Sequence, residues 1–198
     1  MKSFLNVNQI KEDKESLEKW GSDWTNGFEV APSVIVFPET NEQVQSLIQY
    51  AIDSKRKIVP SGGRTGLSGG AVASDGEIVV SFDRMNKILD FDPQDKIVTC
   101  QAGVITESLQ NFAAEKGLYY PVDFASSGSS QIGGNVATNA GGIKVIRYGL
   151  TRDWVAGMRV VTGEGQLIDC NAGLVKNATG YDLRHLMIGS EGTLGLIC

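Results

Sequence analysis

Apolar residues along this chain recur with two different periods, and the switches between them mark out its elements. After an N-terminal stretch of mixed charge, in which Asn8 to Trp20 read as a surface helix, Ser33 to Phe37 (SVIVF) form an apolar run of strand length. The following stretch, TNEQVQSLIQYAIDS, changes to helical spacing. Val44, Leu47, Ile48, Ala51 and Ile52 recur at i, i+3, i+4, i+7 and i+8, and Thr40 with Gln43 has capping-box spacing. Lys57 to Pro60 (KIVP) returns to a strand. Strand, helix and strand in that order predict a parallel pair joined by a right-handed crossover.

From Glu77 to Ser81 (EIVVS) onward the connections shorten. KILDFDPQDKIVTCQAG reads as two strands with Pro93 in the turn between them. A helix is predicted from Thr106 to Lys116, burying Leu109, Phe112 and Ala113 and stopped by Gly117. WVAGMRVVTGEGQLIDC is a second hairpin with TGEG as its turn. The predicted fold class is α+β, in two α/β lobes. A helical segment over residues 1–30 precedes a small parallel βαβ lobe at 31–70, and a larger lobe at 71–198 holds antiparallel strands flanked by helices, with the boundary between Ser68 and Asp75. GTLGLIC reads as a strand with no polar tail after it, and the expectation is of a truncated chain.

A hydrophobic content of 41% over 198 residues supports a core of ordinary size. The net charge is −5 with no Lys/Arg block, which argues against a nucleic-acid surface. An anionic ligand must then be held by local dipoles. The N-terminus has neither a signal core nor a transit pattern, and no apolar run of about 18 residues occurs, so the expectation is a cytoplasmic protein without a transmembrane segment. Cys100, Cys170 and Cys198 are odd in number and widely spaced, so they read as reduced thiols. His185 is the only histidine, which leaves no multi-histidine metal site and few candidates for a general base; beside Leu183, Leu186 and Met187 it reads as a packing residue. No metal and no catalytic residue is assigned.

Three stretches concentrate the glycines: PSGGRTGLSGG (60–70, five glycines in eleven positions), SSGSSQIGGNVATNAGG (126–142) and GSEGTLG (189–195). Such clusters serve positive φ angles or let a ligand press against bare backbone. Successive peptide N–H groups in glycine turns converge on phosphates, and small hydroxyls add donors without bulk. The first stretch is neither a Walker A loop nor G-x-G-x-x-G. The residues alone leave two readings open: a dinucleotide cradle, or tight turns and bulges.

PSGGRTGLSGGA, DFASSGSSQIGGNVATNAGG, YGLTRDWVAGMRVVTGEG and KNATGYDLRHLMIGSEGTLG, in this order, resemble the PCMH-type FAD-binding domain of the FAD-linked oxidases of the vanillyl-alcohol-oxidase superfamily. The branch most resembled holds the glycolate oxidase type and the D-lactate and D-2-hydroxyglutarate dehydrogenases, over Ala31 to Cys198. The resemblance implies FAD. Ser61, Gly62, Gly63, Arg64, Thr65 and Gly66 would wrap its pyrophosphate, with Ser68 close by. Ser127, Gly128, Gly133, Gly134, Asn135, Thr138 and Asn139 would run along the cofactor toward the isoalloxazine ring, and Gly141, Gly142, Tyr148 and Gly149 would continue that wall. Tyr148 is a ring neighbour or part of the core. Glu191, Gly192 and Gly195 would close over the adenine or ribose, with Glu191 accepting ribose hydroxyls or capping a turn. Covalent members carry a histidine where this chain has Arg64, so the resemblance implies non-covalent, dissociable FAD.

The activity so implied is oxidation of a 2-hydroxy acid (glycolate, D-lactate or D-2-hydroxyglutarate) to the 2-keto acid. Hydride passes to flavin N5 and electrons go on to a second acceptor, which the residues do not identify. The small-molecule acid binds a C-terminal substrate domain that is absent here, so this stretch is not expected to turn over alone. Two other readings stay open. One is a non-catalytic FAD-binding subunit completed by partner subunits; the other is a sister enzyme such as an alkylglycerone-phosphate synthase or an aromatic alcohol oxidase.

Overall fold

The computed structural model describes residues 1–25, 27–171, 173–174 and 176–198. Its first sheet holds β1 (Ile10–Lys11), β2 (Val34–Val36), β3 (Ile58–Ser61) and β4 (Ile78–Ser81) in the order β1-β2-β4-β3. β2 and β3 are both parallel to β4, and β1 lies antiparallel on the edge. The two strands expected to be parallel are so, but β4 lies between them, and the sheet therefore reaches past residue 70 to Ser81. Val34 to Val36 and Ile78 to Val80 are buried without alternation because both faces of the sheet are covered.

One face carries α2 (Asn41–Ser54), which sets Val44, Leu47, Ile48 and Ala51 against Val34, Val36, Ile78 and Val80. The Thr40 hydroxyl accepts from the Gln43 N–H at 3.3 Å and starts this helix, as the capping spacing predicts. Ile52, grouped with the buried face by its spacing, is instead 46% exposed, at the rim of the stripe. The opposite face carries α1 (Lys14–Trp20), whose Leu17 and Trp20 pack on Ile35, Phe37 and Val79. The helix expected from Asn8 to Trp20 is therefore shorter: Val7–Gln9 is a 3₁₀ turn, β1 follows, and Asp13 caps α1 by accepting from Ser16 N–H at 2.9 Å. The N-terminal segment is part of this lobe, not an appendage to it.

Beyond the sheet, β5 (Ile88–Asp92) and β6 (Ile97–Cys100) form the first hairpin. α3 (Thr106–Glu115) buries Thr106, Leu109 and Ala113, while Phe112 is half-buried, edge-on to Phe91. α4 (Ile132–Thr138) and the single turn α5 (Val145–Tyr148) carry the second glycine stretch. β7 (Met158–Thr162), β8 (Leu167–Cys170) and β9 (Gly195–Ile197) form an antiparallel sheet in the order β8-β7-β9, with the turn α6 (Arg184–Met187) before β9. The two lobes share one core, since Val161 and Leu196 pack in the same cluster as Val44 and Leu47. Gln45 Nε2 adds a hydrogen bond across the junction to the Gly165 carbonyl at 2.9 Å.

Candidate functional site

β3 and β4 end in register at Ser61 and Ser81, so the chain leaves both strands at the same, carboxyl edge of the sheet. Ligands of open α/β sheets bind at this edge. Ser61 is fully buried, and residues 62–65 are half-buried. Among the described residues, none of the backbone N–H groups of residues 62 to 68 donates to a protein acceptor, and the first to find one is Gly69, to Thr25 Oγ1 at 2.7 Å. A run of unpaired peptide donors in a partly buried loop calls for an external acceptor. Thr65 lines the adjoining cleft, and Gly66 and Ser68 are exposed.

Arg64 does not extend into water. Its φ is +59°, its Nη1 donates to the Gly62 carbonyl at 2.7 Å, and it pairs with Asp83 Oδ1 at 3.4 Å, leaving its side chain 19% exposed. Asp83 also accepts from Trp20 Nε1 and from Gln131 Nε2, both at 2.7 Å. One carboxylate thus ties together the end of α1, the glycine loop and the second glycine stretch. Asp83 and Gln131 were missed in the sequence because neither sits in a recognisable spacing. The one signal for Asp83 is its place just past a strand end.

The second stretch meets the first at backbone contact. A Cβ on Gly63 would overlap the Ser129 carbonyl oxygen and lie 2.7 Å from Ser130 Cα, and one on Gly62 would lie 3.7 Å from Gly134 Cα. On α4 the two neighbouring glycines divide the work. Gly133 is buried against Ala102, whose Cβ would be 2.6 Å from an added Cβ and whose carbonyl accepts the Gly133 N–H at 2.7 Å. Gly134 faces open space, with the Thr138 hydroxyl donating to its carbonyl at 2.9 Å. Asn135 is buried behind them, its Nδ2 donating to Thr106 Oγ1 at 2.6 Å, and that hydroxyl lies 2.8 Å from Ser130 Oγ. Ser127 accepts the Glu107 N–H at 3.0 Å, and Gly128 is exposed beside the Glu107 carboxylate.

The third stretch closes on both. The N–H groups of Gly189 and Glu191 donate to Val136 and Ala137 carbonyls at 3.1 and 2.9 Å, and a Cβ on Gly192 would lie 2.6 Å from Pro60 Cγ. Glu191 is exposed with its carboxylate beside Gly70, and Gly195 packs on Val160 within β9. Asn139 has φ +49° and accepts the Arg152 N–H at 3.0 Å.

Gly141, Gly142, Tyr148 and Gly149 follow α4 in the chain and lie around α5. Added Cβ atoms there would meet Leu150 and Val145, the Asp123 carbonyl, and Asp153 respectively for Gly141, Gly142 and Gly149. Tyr148 packs edge-on to Tyr119 at 5.8 Å, and its carbonyl accepts Trp154 Nε1 at 2.9 Å. Lys144 bridges Asp123 at 2.7 Å and the Tyr119 hydroxyl at 2.9 Å; the hydrogen bond from Lys144 holds the Asp123 carboxyl below its ordinary range and raises the ammonium in turn. His185 is 48% exposed, 3.6 Å from Asp182 Oδ2, and its neighbours Leu183 and Leu186 are exposed, so the apolar packing expected of it is not found.

Between the first two stretches and α1 lies a cleft of about 530 Å³. Its wall includes Gly63, Thr65, Ser129 and Gln131. Gln131 Oε1 and Asp23 Oδ2 are buried there with no partner among the described residues. Free peptide donors on one side and unpartnered acceptor oxygens on the other fit a ligand with both phosphates and hydroxyls, as FAD has. No group of three or more metal-ligating side chains is found among the described residues.

Unpaired peptide donors at a strand end, faced by a second glycine stretch across a cleft, have the chemistry of a dinucleotide-holding α+β domain. The family described as FAD binding domain matches residues 32–171, and the chain belongs to that family. It is 61% identical over 197 residues to the D-2-hydroxyglutarate dehydrogenase of Stutzerimonas stutzeri (strain A1501), covering 100% of this chain and 42% of that protein. It is 56% identical over 189 residues to the D-2-hydroxyglutarate dehydrogenase of Xanthomonas citri pv. viticola, covering 96% of this chain and 40% of the relative. Among solved structures, an alkyldihydroxyacetonephosphate synthase superposes with a TM-score of 0.86 at 28% identity, covering 99% of this chain and 40% of that one. The chain thus spans about 40% of the length of these relatives. Among the described residues no helix is long and apolar enough to cross a membrane.

Proposed function

We propose that this chain is the flavin-holding part of a 2-hydroxyacid dehydrogenase that oxidises D-2-hydroxyglutarate, or an acid of its class, to the 2-keto acid. The observation that carries the flavin site is the run of N–H groups over residues 62–68 without protein acceptors. The substrate class is supported by the names of the relatives at 61% and 56% identity.

In this reading the peptide groups of Gly62 to Gly66 neutralise the pyrophosphate, with Ser61 supporting the loop from the strand end and Ser68 at its rim. Ser127, Gly128, Gly134 and Thr138 border the cofactor from the second lobe. Gly133, Asn135 and Asn139 shape that border from behind. Gly141, Gly142, Tyr148 and Gly149 form the continuing wall, and Glu191, Gly192 and Gly195 the adenine side. Bound flavin supplies the hydride acceptor. The residues here bind and orient it and keep water from its phosphates. Arg64 has no nucleophilic nitrogen free for a covalent link and is engaged with Gly62 and Asp83, which supports a dissociable cofactor.

The two-lobe division is kept, with β4 joined to the first lobe. The groups that bind the acid and take its proton are placed in sequence beyond these residues. The test is a visible spectrum of the purified protein before and after acid precipitation. Flavin absorbance in the supernatant is expected; a colourless protein that ignores added FAD would overturn the reading.

A further inference from the structure

Gln131 is 4% exposed, and the two ends of its side-chain amide have very different surroundings. Nε2 donates to Asp83 Oδ1 at 2.7 Å. That bond decides which way the amide points, because the reverse would set two acceptor oxygens against each other. Oε1 therefore faces away from Asp83. It is buried, has no partner among the described residues, and lies 3.5 Å from where a Cβ on Gly62 would sit. A buried carbonyl oxygen without a donor is costly, so this one is half of a hydrogen bond waiting in the wall of the cleft. Asp23 Oδ2, beside Gly66, is a second such oxygen in the same cleft.

Ionised phosphate oxygens carry no hydrogen and are repelled by both groups. What these oxygens require is a hydroxyl placed next to the phosphates. A flavin dinucleotide has hydroxyls on either side of its pyrophosphate, on the ribose and on the ribityl chain.

We propose that Gln131 determines ligand specificity by accepting a hydrogen bond from a sugar hydroxyl of the dinucleotide, and that Asp83 is the positioning residue that holds its amide oxygen toward the ligand. The inference rests on the FAD reading of this cleft. Asp83 suits the role because its carboxylate is anchored independently by Trp20 Nε1 at 2.7 Å and by Arg64 at 3.4 Å.

FAD is titrated into flavin-free wild type, Gln131→Met, Asp83→Asn and the double variant, following quenching of flavin fluorescence, with thermal melting of each flavin-free protein alongside. Methionine keeps the volume but removes both the acceptor and the Nε2 donor to Asp83, so the Kd for FAD is expected to rise about tenfold while the melting temperature of the flavin-free protein falls only by the lost bond to Asp83, no further than in Asp83→Asn. Asp83→Asn frees the amide to turn over and gives a similar loss, and the double variant loses less than the product of the two. Competition by ADP then separates the two sugars: an ADP constant weakened in Gln131→Met assigns the ribose, an unchanged one the ribityl chain. Wild-type FAD affinity in Gln131→Met, or an affinity loss in a Gln131→Met protein that is already unfolded at the titration temperature, overturns the inference alone. A wild type that takes up no FAD overturns the reading beneath it.

Discussion

Gly63 and Ser129 touch through their backbones: the hydrogen that stands where Gly63 would carry a Cβ points at the Ser129 carbonyl oxygen, with Ser130 Cα just beyond. Those two residues belong to different lobes, and their contact sets how closely the first two glycine stretches approach. Its partners are main-chain atoms, so no side chain can swing aside to make room.

Gly63→Ala should therefore prise the two glycine stretches apart. Overpacking of this kind costs about 1–3 kcal/mol, and the loop donors should move out of line with the phosphates. The expected result is a Kd for FAD raised more than about tenfold, from about 1.4 kcal/mol or more of lost binding, measured by fluorescence titration. Retention of FAD at wild-type strength would mean that the loop is not the phosphate wall.

Asn135→Ala should behave in the opposite sense. Its amide is spent inside the protein on Thr106 Oγ1, within a buried cluster that includes Ser130. Removal should lower stability by about 1–3 kcal/mol in urea denaturation, because the cluster is left partly unsatisfied. FAD affinity should change far less than in Gly63→Ala. A large affinity loss without a stability loss would return Asn135 to the cofactor's contact surface.

Arg64→Gln should leave flavin binding largely intact. The guanidinium pairs with Asp83 at 19% and 28% side-chain exposure, and Asp83 keeps its bonds from Trp20 and Gln131, so the lost pair should cost about 1–3 kcal/mol of stability rather than of flavin binding. If peptide groups hold the phosphates, affinity should also vary weakly with salt in both proteins. A steep salt dependence that disappears in Arg64→Gln would show the cation on the phosphates instead.

The thiols give a prediction about alkaline pH. Burial pushes Cys100 up to about 11 and Cys198 up to about 12 from an ordinary 9.0. A raised folded pKa means that the unfolded chain releases its proton first. Stability from these thiols is complete below pH 9.0 and is lost as pH rises through about 11. Melting temperature should fall between pH 9.0 and about 11, and less so in a Cys100→Ser variant. Native protein at pH 8 should react slowly with a thiol reagent and readily in denaturant. Rapid native labelling of Cys170, the thiol with 1% exposure, would contradict the burial.

Much of both lobes was legible in local pattern. The Val44–Ala51 stripe, the Thr40 cap, the TGEG and DPQD hairpins and the Gly117 stop are each set within a few residues, and each lies where the pattern predicts. The insertion of β4 between β2 and β3 was not, because strand order depends on which edges meet and not on the residues of any one strand. The glycine clusters were visible, but their uses were not. Gly63 serves close approach, Gly69 a φ of +77°, Gly133 helix packing on Ala102, and Gly134 an open face; all four look alike in one dimension.

By itself, then, the order of residues determined the elements and the lobes' contrasting grammar, because periodicity and capping act over short range, while the ligand class was implied only by the resemblance of four ordered motifs to a known family. Only the tertiary structure decided which donors stay free and where Arg64 turns. It also decided that Asp83 joins three segments, since Trp20, Arg64 and Gln131 are far apart in the chain and share a carboxylate only once the sheet edge has brought them together.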